Sequence, residues 1–297
     1  MKMIVLIILL LIINIINVKG LSLQSTSLKS SLNMKLVTND ISSLSYHVSD
    51  LKKSIDFYTK VLGFNTINIK ENSVTLNMIQ NNSNTYLELL QNKQEYDHGD
   101  GFIGIGINKN IDDSNKIIQQ CSKYGGKVIL DIGDFAYGAC MIPDEDEMKV
   151  TPVRYGRITD PDGYCIEITE TKDIVIPSSK IKLNVVDWEE SEKFYMEMLG
   201  MKLLRRRSNI NSKPKKASIT SYLGYNSESN GILLELTYPY STDVLDLGNG
   251  YNQLKFTCSD ISWTKDKLKA GGYKYDEVTN NSIIVKDPNN YKILLSN

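Results

Sequence analysis

The stretch "DPDGYCIEI", Asp160 to Ile168, returns near the end of the chain as "DPNNYKILL", Asp287 to Leu295. Each copy reads as an Asp-Pro turn running into a strand. In the first copy Glu167 stands three residues after Tyr164; in the second, Leu294 stands three after Tyr291. One copy has a carboxylate where the other has an apolar side chain.

Other landmarks repeat in the same order. "SIDFYTKVLGF" (Ser54 to Phe64) reappears as "SEKFYMEMLGM" (Ser191 to Met201), and "YLELLQN" (Tyr86 to Asn92) as "LLELTYP" (Leu233 to Pro239). Gly125-Gly126 in "CSKYGGKV" stands opposite Gly271-Gly272 in the later copy. Fixed order with drifting spacing indicates two homologous domains, residues 41–171 and 172–297, joined through "TKDIVIPSSK". Within the first, "ISSLSYHV" alternates as a strand, and Asp50 opens an amphipathic helix through Leu62 that Gly63 stops. Strands are expected at Ser73 to Ile79 and Thr85 to Leu90. "GFIGIGIN" then starts a second round, with a helix through Tyr124 and strands ending at "YCIEITE". The fold class is α+β: strand, helix, strands, four times over.

The 297 residues, 41% hydrophobic and 23% charged, are enough for two domains. A net charge of −1 excludes a general nucleic-acid binder, which needs a basic surplus. The basic run "RRRSNINSKPKK" (Arg205 to Lys216) reads as a solvated hairpin or loop. Cys121, Cys140, Cys165 and Cys258 form no C-x-x-C pair and read as free thiols. Residues 1–20 read as a secretory signal, too short an apolar run for a membrane span. Residues 21–40 are rich in Ser, and the first acid is Asp40. This pair of segments resembles the two-part leader that delivers apicomplexan proteins to the apicoplast; plain secretion is the alternative. No stable membrane association is expected once the leader is removed.

"DLKKSIDFYTKVLGF", "LELTY", "LGMKLLR" and "DPDGYCIEI" resemble the signatures of glyoxalase I (lactoylglutathione lyase) in the vicinal oxygen chelate superfamily, in its fused two-domain form. The resemblance implies two glyoxalase domains, each a pair of βαβββ modules. It also implies two pockets, each joining the first module of one domain to the second module of the other. Enzymes of that family rearrange the hemithioacetal of methylglyoxal and glutathione through an enediolate. A divalent metal stabilises the developing charge, and a glutamate moves the proton. Four inward ligands are implied: His or Gln, Glu, His or Gln, and Glu.

Carried onto this chain, one ligand set falls on Ser43, Glu88, Gln253 and Leu294, and the other on Lys180, Glu235, Phe102 and Glu167. Neither set is complete. A lysine repels a divalent ion and pairs with carboxylates, so Lys180 is expected to replace the metal as the positive centre beside Glu167 and Glu235. The resemblance places His47 and Asn184 where the family grips a glutathione carboxylate, and Asn92 and His98 at further contacts. The acidic stretch Met141 to Arg157 reads as a solvated insertion near the pocket. No cofactor is expected, with Zn or Ni the ion if the site works. The partner is a small molecule such as a glutathione conjugate, and the chain a monomer with pseudo-twofold domain pairing. The expected function is a binding or regulatory module that has lost lyase activity. The alternative is an active lyase or related isomerase built around Lys180, Glu235 and Glu167.

Overall fold

The computed structural model describes residues 38–78, 85–94, 96–136, 140–141, 152–170, 179–209, 217–228, 231–240 and 242–297. The leader up to residue 37, residues 142–151 of the acidic stretch, linker residues 171–178 and basic residues 210–216 lie outside them.

Four modules follow one another. The first is β1 (Thr38–Val48), α1 (Leu51–Lys60), β2 (Asn65–Lys70), β3 (Ser73–Asn77) and β4 (Tyr86–Gln91). The second is β5 (Phe102–Lys109), α2 (Ile111–Cys121), β6 (Lys127–Ala136), the two-residue β7 (Cys140–Met141), β8 (Pro152–Thr159) and β9 (Cys165–Glu170). The third is β10 (Ser179–Asn184), α3 (Trp188–Lys193), β11 (Lys202–Asn209), β12 (Ser218–Gly224) and β13 (Ile232–Pro239). The fourth is β14 (Tyr251–Cys258), α4 (Ile261–Ala270), β15 (Tyr275–Thr279), β16 (Ser282–Lys286) and β17 (Lys292–Ser296). β1 begins at Thr38, inside the segment read as leader. Among the described residues no helix is long and apolar enough to cross a membrane.

Local chemistry starts and stops these helices. Asp50, Asn110, Asp187 and Asp260 each accept a hydrogen bond from the backbone N–H three residues on, satisfying a donor the helix cannot. Gly63 follows α1 at φ +75°, a conformation that costs a side-chain-bearing residue energy. The repeated turn has a matching device. The Asp160 carboxylate accepts from the N–H groups of Asp162 and Tyr164 and from the Tyr58 hydroxyl at 2.9 Å. Asp287 accepts from Asn289, Tyr291 and the Tyr195 hydroxyl in the same way. Burial outweighs these donors and pushes the Asp160 carboxyl up to about 7 and that of Asp287 to about 6.

Two sheets result, and neither follows the sequence repeat. Sheet A has eight strands in the order β15-β16-β17-β14-β1-β4-β3-β2, uniting the first module with the fourth. Sheet B has nine in the order β6-β8-β9-β5-β10-β13-β12-β11-β7, uniting the second with the third. The seams are antiparallel, β1 on β14 and β10 on β5. Leu44, Leu87, Leu89, Leu254, Ile293 and Leu295 are buried on the apolar face of sheet A. Alternate residues, among them Glu88, Gln253, Lys255 and Leu294, are partly exposed on the other.

A pair of turns ties the sheets together. "DHGDG" (Asp97 to Gly101) and "DLGNG" (Asp246 to Gly250) are a further repeat, and they bond to each other reciprocally. Asp100 N–H donates to Asp246 O at 2.7 Å, and Asn249 N–H to Asp97 O at 2.8 Å. A Cβ on Gly99 or Gly248 would stand 2.2 Å from the opposing carbonyl oxygen, so both positions require glycine.

Candidate functional site

Cross-strand register fixes which side chains meet. In sheet B one row runs Cys165, Gly104, Lys182, Glu235 and Tyr222; the next runs Arg157, Glu167, Gly106, Lys180 and Leu233. Lys180 and Lys182 alternate along β10 and therefore share a face. Lys182 Nζ lies 2.7 Å from Glu167 Oε2 and 3.1 Å from Glu235 Oε1. Lys180 Nζ adds a longer contact of 3.4 Å to Glu167 Oε1, and Arg157 one of 3.5 Å to Oε2. Glu167, Glu235, Lys180 and Lys182 are 4%, 2%, 6% and 6% exposed. The cluster is thus buried, and its charges must compensate one another.

Burial alone would raise the Glu167 carboxyl, but Lys182, Lys180 and Arg157 overcome it and hold the group well below the usual carboxylate range. Burial would likewise lower the Lys182 ammonium, yet Glu167 and Glu235 keep it above its ordinary value. Lys180 goes the other way: burial lowers it, and its single carboxylate contact does not restore it. Among the described residues, Glu235 Oε2 has no hydrogen-bond partner.

Two expectations are corrected here. The lysine bridging both carboxylates is Lys182, with Lys180 in a supporting contact. Phe102 does not stand on the ligand row: a bulge in β5 after Phe102 brings Gly104 opposite Lys182, just as a bulge in β14 brings Gln253 opposite Ser45. Phe102 instead packs among the rings of Tyr46, Tyr164 and Tyr251 at 5.5–5.8 Å. The glycines at 104 and 106 leave room over β5, and the Lys180 stem lies across Gly106.

In sheet A the corresponding rows are Gln253, Ser45, Glu88 and Thr75, then Leu294, Lys255, Ser43, Tyr86 and Asn77. The residue directly beside Glu88 is Ser45, and Ser43 lies one row away with Lys255 and Leu294. This face offers one carboxylate, Glu88, and the amides of Gln253 and Asn77. Sheet B offers two carboxylates already bonded to lysine. A divalent ion 4 Å from the Lys182 ammonium would meet a repulsion of about 8 kcal/mol at an effective dielectric of about 20. Neither donor set fits the family's metal. Among the described residues no group of three or more His, Cys, Asp or Glu side chains could hold one.

His47 and Asn184 occupy matching positions but hold the paired turns: His47 Nδ1 lies 2.9 Å from Asn249 O, and Asn184 Nδ2 donates to Asp100 O at 2.7 Å. Asn92 accepts from Gln94 N–H through its side chain. His98 is stacked on Tyr96 and packs tilted against Tyr164, and burial lowers its pKa. His98, Asn184 and Phe102 do share one feature, an open cleft of about 310 Å³ with Cys165 in its wall. Burial pushes the Cys165 thiol up, and the neighbouring Lys182 and Arg157 charges partly oppose it.

The described part of the basic run, Arg205 to Asn209, lies in β11 and pairs antiparallel with β12 as the hairpin alternative expected, but its arginines are engaged rather than solvated. Arg205 bonds Glu228 at 2.6 Å and lies 3.6 Å over the Tyr222 ring, while Arg206 bonds Glu192 at 2.6 Å. Cys121, Cys165 and Cys258 are free thiols.

The Glyoxalase/Bleomycin resistance protein/Dioxygenase superfamily pattern matches residues 40–168 and again residues 179–295. The chain belongs to this superfamily. A protein named "probable lactoylglutathione lyase, chloroplastic" from Arabidopsis thaliana is 32% identical over 237 residues, covering 77% of this chain and 62% of that protein. A lactoylglutathione lyase from the same plant is 28% identical over 232 residues, covering 75% of each. The crystal structure of glyoxalase I from Zea mays superposes with a TM-score of 0.68 at 27% identity, covering 87% of this chain and 92% of that one. As a two-domain glyoxalase-superfamily protein, the chain pairs its modules across the repeat. Sequence reading missed Lys182, Gly104 and Cys165. The first was visible in "SKIKLN", where two lysines alternate on one strand.

Proposed function

We propose that this glyoxalase I-like protein lacks the lyase activity of its relatives and acts as a small-molecule binding or regulatory module. The observation that carries this reading is the Lys182 ammonium seated between Glu167 and Glu235 at 2.7 and 3.1 Å. A cation built into the chain occupies the space a metal would need, and it neutralises the carboxylate that would move the proton. A carboxylate held that far below its ordinary range is a poor base. The ligand is a small molecule, with a glutathione conjugate the first candidate, given the names of the relatives. The chloroplastic relative supports reading the leader as a route to a plastid, with secretion as the alternative. We take the chain to work as a monomer, since its own two halves already pair.

A second reading has one observation in its favour. Glu235 Oε2 is buried without a hydrogen bond among the described residues, and Lys180 is the less committed amine beside it. Together they would serve a metal-free isomerase, with lysine stabilising an enediolate and Glu235 moving the proton.

The deciding experiment measures metal content and hemithioacetal isomerisation on purified protein supplied with Zn, Ni or Co. Neither bound metal nor turnover is expected. Metal-dependent turnover overturns the proposal. Metal-free turnover abolished by Lys180→Ala establishes the second reading instead.

A further inference from the structure

Sheet A carries the same glutamate as sheet B but places its lysine elsewhere. In sheet B the lysine directly beside Glu235 reaches it at 3.1 Å. In sheet A the residue beside Glu88 is Ser45, and Lys255 stands two strands away on the neighbouring row. Strand spacing and rise put the Cα atoms of Glu88 and Lys255 about 12 Å apart. Among the described residues, neither side-chain charge has an ion-pair or hydrogen-bond partner. Ser43 and Ser45 lie between them at 4% and 1% exposure, a small-residue floor beneath two longer charged side chains. Gln253 stands on the same strand as Lys255, two residues away and on the same face.

We propose that this face of sheet A is a metal-free binding site for a small zwitterion of the ω-amino acid class. The ligand ammonium pairs with Glu88, and its carboxylate with Lys255 and the Gln253 amide. One ligand then satisfies two opposite charges that do not pair with each other, for a single loss of its translational freedom. A ligand of one charge would leave the other side chain unmatched. The inference deepens the reading of the protein as a binding module and rests on its claim that these donors hold no metal.

The test is calorimetric titration of the full protein with glycine, β-alanine, γ-aminobutyrate and δ-aminovalerate, using butyrate and butylamine as single-charge controls. The expected result is saturable binding at one or two chain lengths, at least tenfold weaker for both controls. Glu88→Gln and Lys255→Met should each weaken it at least tenfold. Both residues are partly exposed on the polar face, so neither substitution opens a hole in the core. The proposal is overturned if no member binds up to about 10 mM, if butyrate binds as tightly, or if Glu88→Gln retains full affinity. A Zn titration of the same protein separates the two claims. Zn binding lost in Glu88→Gln defeats the metal-free reading itself, whereas silence toward both Zn and amino acids defeats only the ligand assignment.

Discussion

At the scale of single residues, Lys182 holds apart two carboxylates that its removal would leave facing each other in a buried space. Lys182→Met should therefore cost about 3–5 kcal/mol in urea unfolding. Lys180→Met, losing one 3.4 Å contact, should cost less, about 1–2 kcal/mol. Equal losses would mean that the two ammonium groups share the carboxylates evenly. The pH dependence has two opposing parts. Glu167 is depressed, so its contribution to stability is present above its unfolded value and is lost as pH falls through the folded one. Asp160 and Asp287 are raised to about 7 and about 6, so their contribution is full below the unfolded value and is lost as pH rises through that range. Asp160→Asn should then show a smaller fall in Tm between pH 5 and pH 8 than the native chain, and an unchanged fall would reject that assignment. Glu167 and Glu235 were legible in the sequence because strand and turn signatures surround them. Lys182 was equally visible in "SKIKLN", but the resemblance gave a single first-strand position and drew attention to Lys180 alone.

At the scale of elements, β5 shows where a period-two reading stops working. A strand of strict alternation would keep Phe102, Gly104 and Gly106 on one face, but the bulge turns Phe102 into the aromatic cluster. Nothing in "GFIGIGIN" except its glycines announces that break. Gly104 has φ +138°, and a Cβ there would fall 1.9 Å from Cys165 O. Gly104→Ala should destabilise by at least about 2 kcal/mol. Gly106→Ala, with no positive φ and a new methyl 3.3 Å from Cβ and Cδ of the buried Lys180, should cost less, about 1 kcal/mol. Equal effects in thermal unfolding would argue against the bulge. The helices were far easier to read, since Asp and Asn caps and a terminal Gly act within a few residues of the element they delimit. β2 went unread: all six of its residues are exposed, so it has no buried face to impose alternation.

At the scale of the whole molecule, the repeated halves of the sequence are not the halves of the structure. Every strand of sheet B lies between residues 102 and 239, whereas sheet A is assembled from residues 38–91 and 251–296. A fragment of residues 41–171, one full repeat, cuts through both sheets and should expose apolar surface and aggregate or dimerise. A fragment of residues 96–240 keeps sheet B intact and should give the more cooperative unfolding transition by circular dichroism. The opposite ranking would place the folding unit in the repeat. The repeat itself was plain in the sequence, but exchange of modules was known only through the resemblance, because partners 200 residues apart leave no local trace. This arrangement bears on the order of events during synthesis. β1 pairs with β14, and the Ser45 hydroxyl donates to Gln253 O across 208 residues of chain. Until Cys258 has left the ribosome, the first module has an unpaired seam strand, while the middle of the chain can already complete its sheet. The seam strand of the first module is thus among the last to find its place, leaving a window in which a chaperone can still take hold of β1.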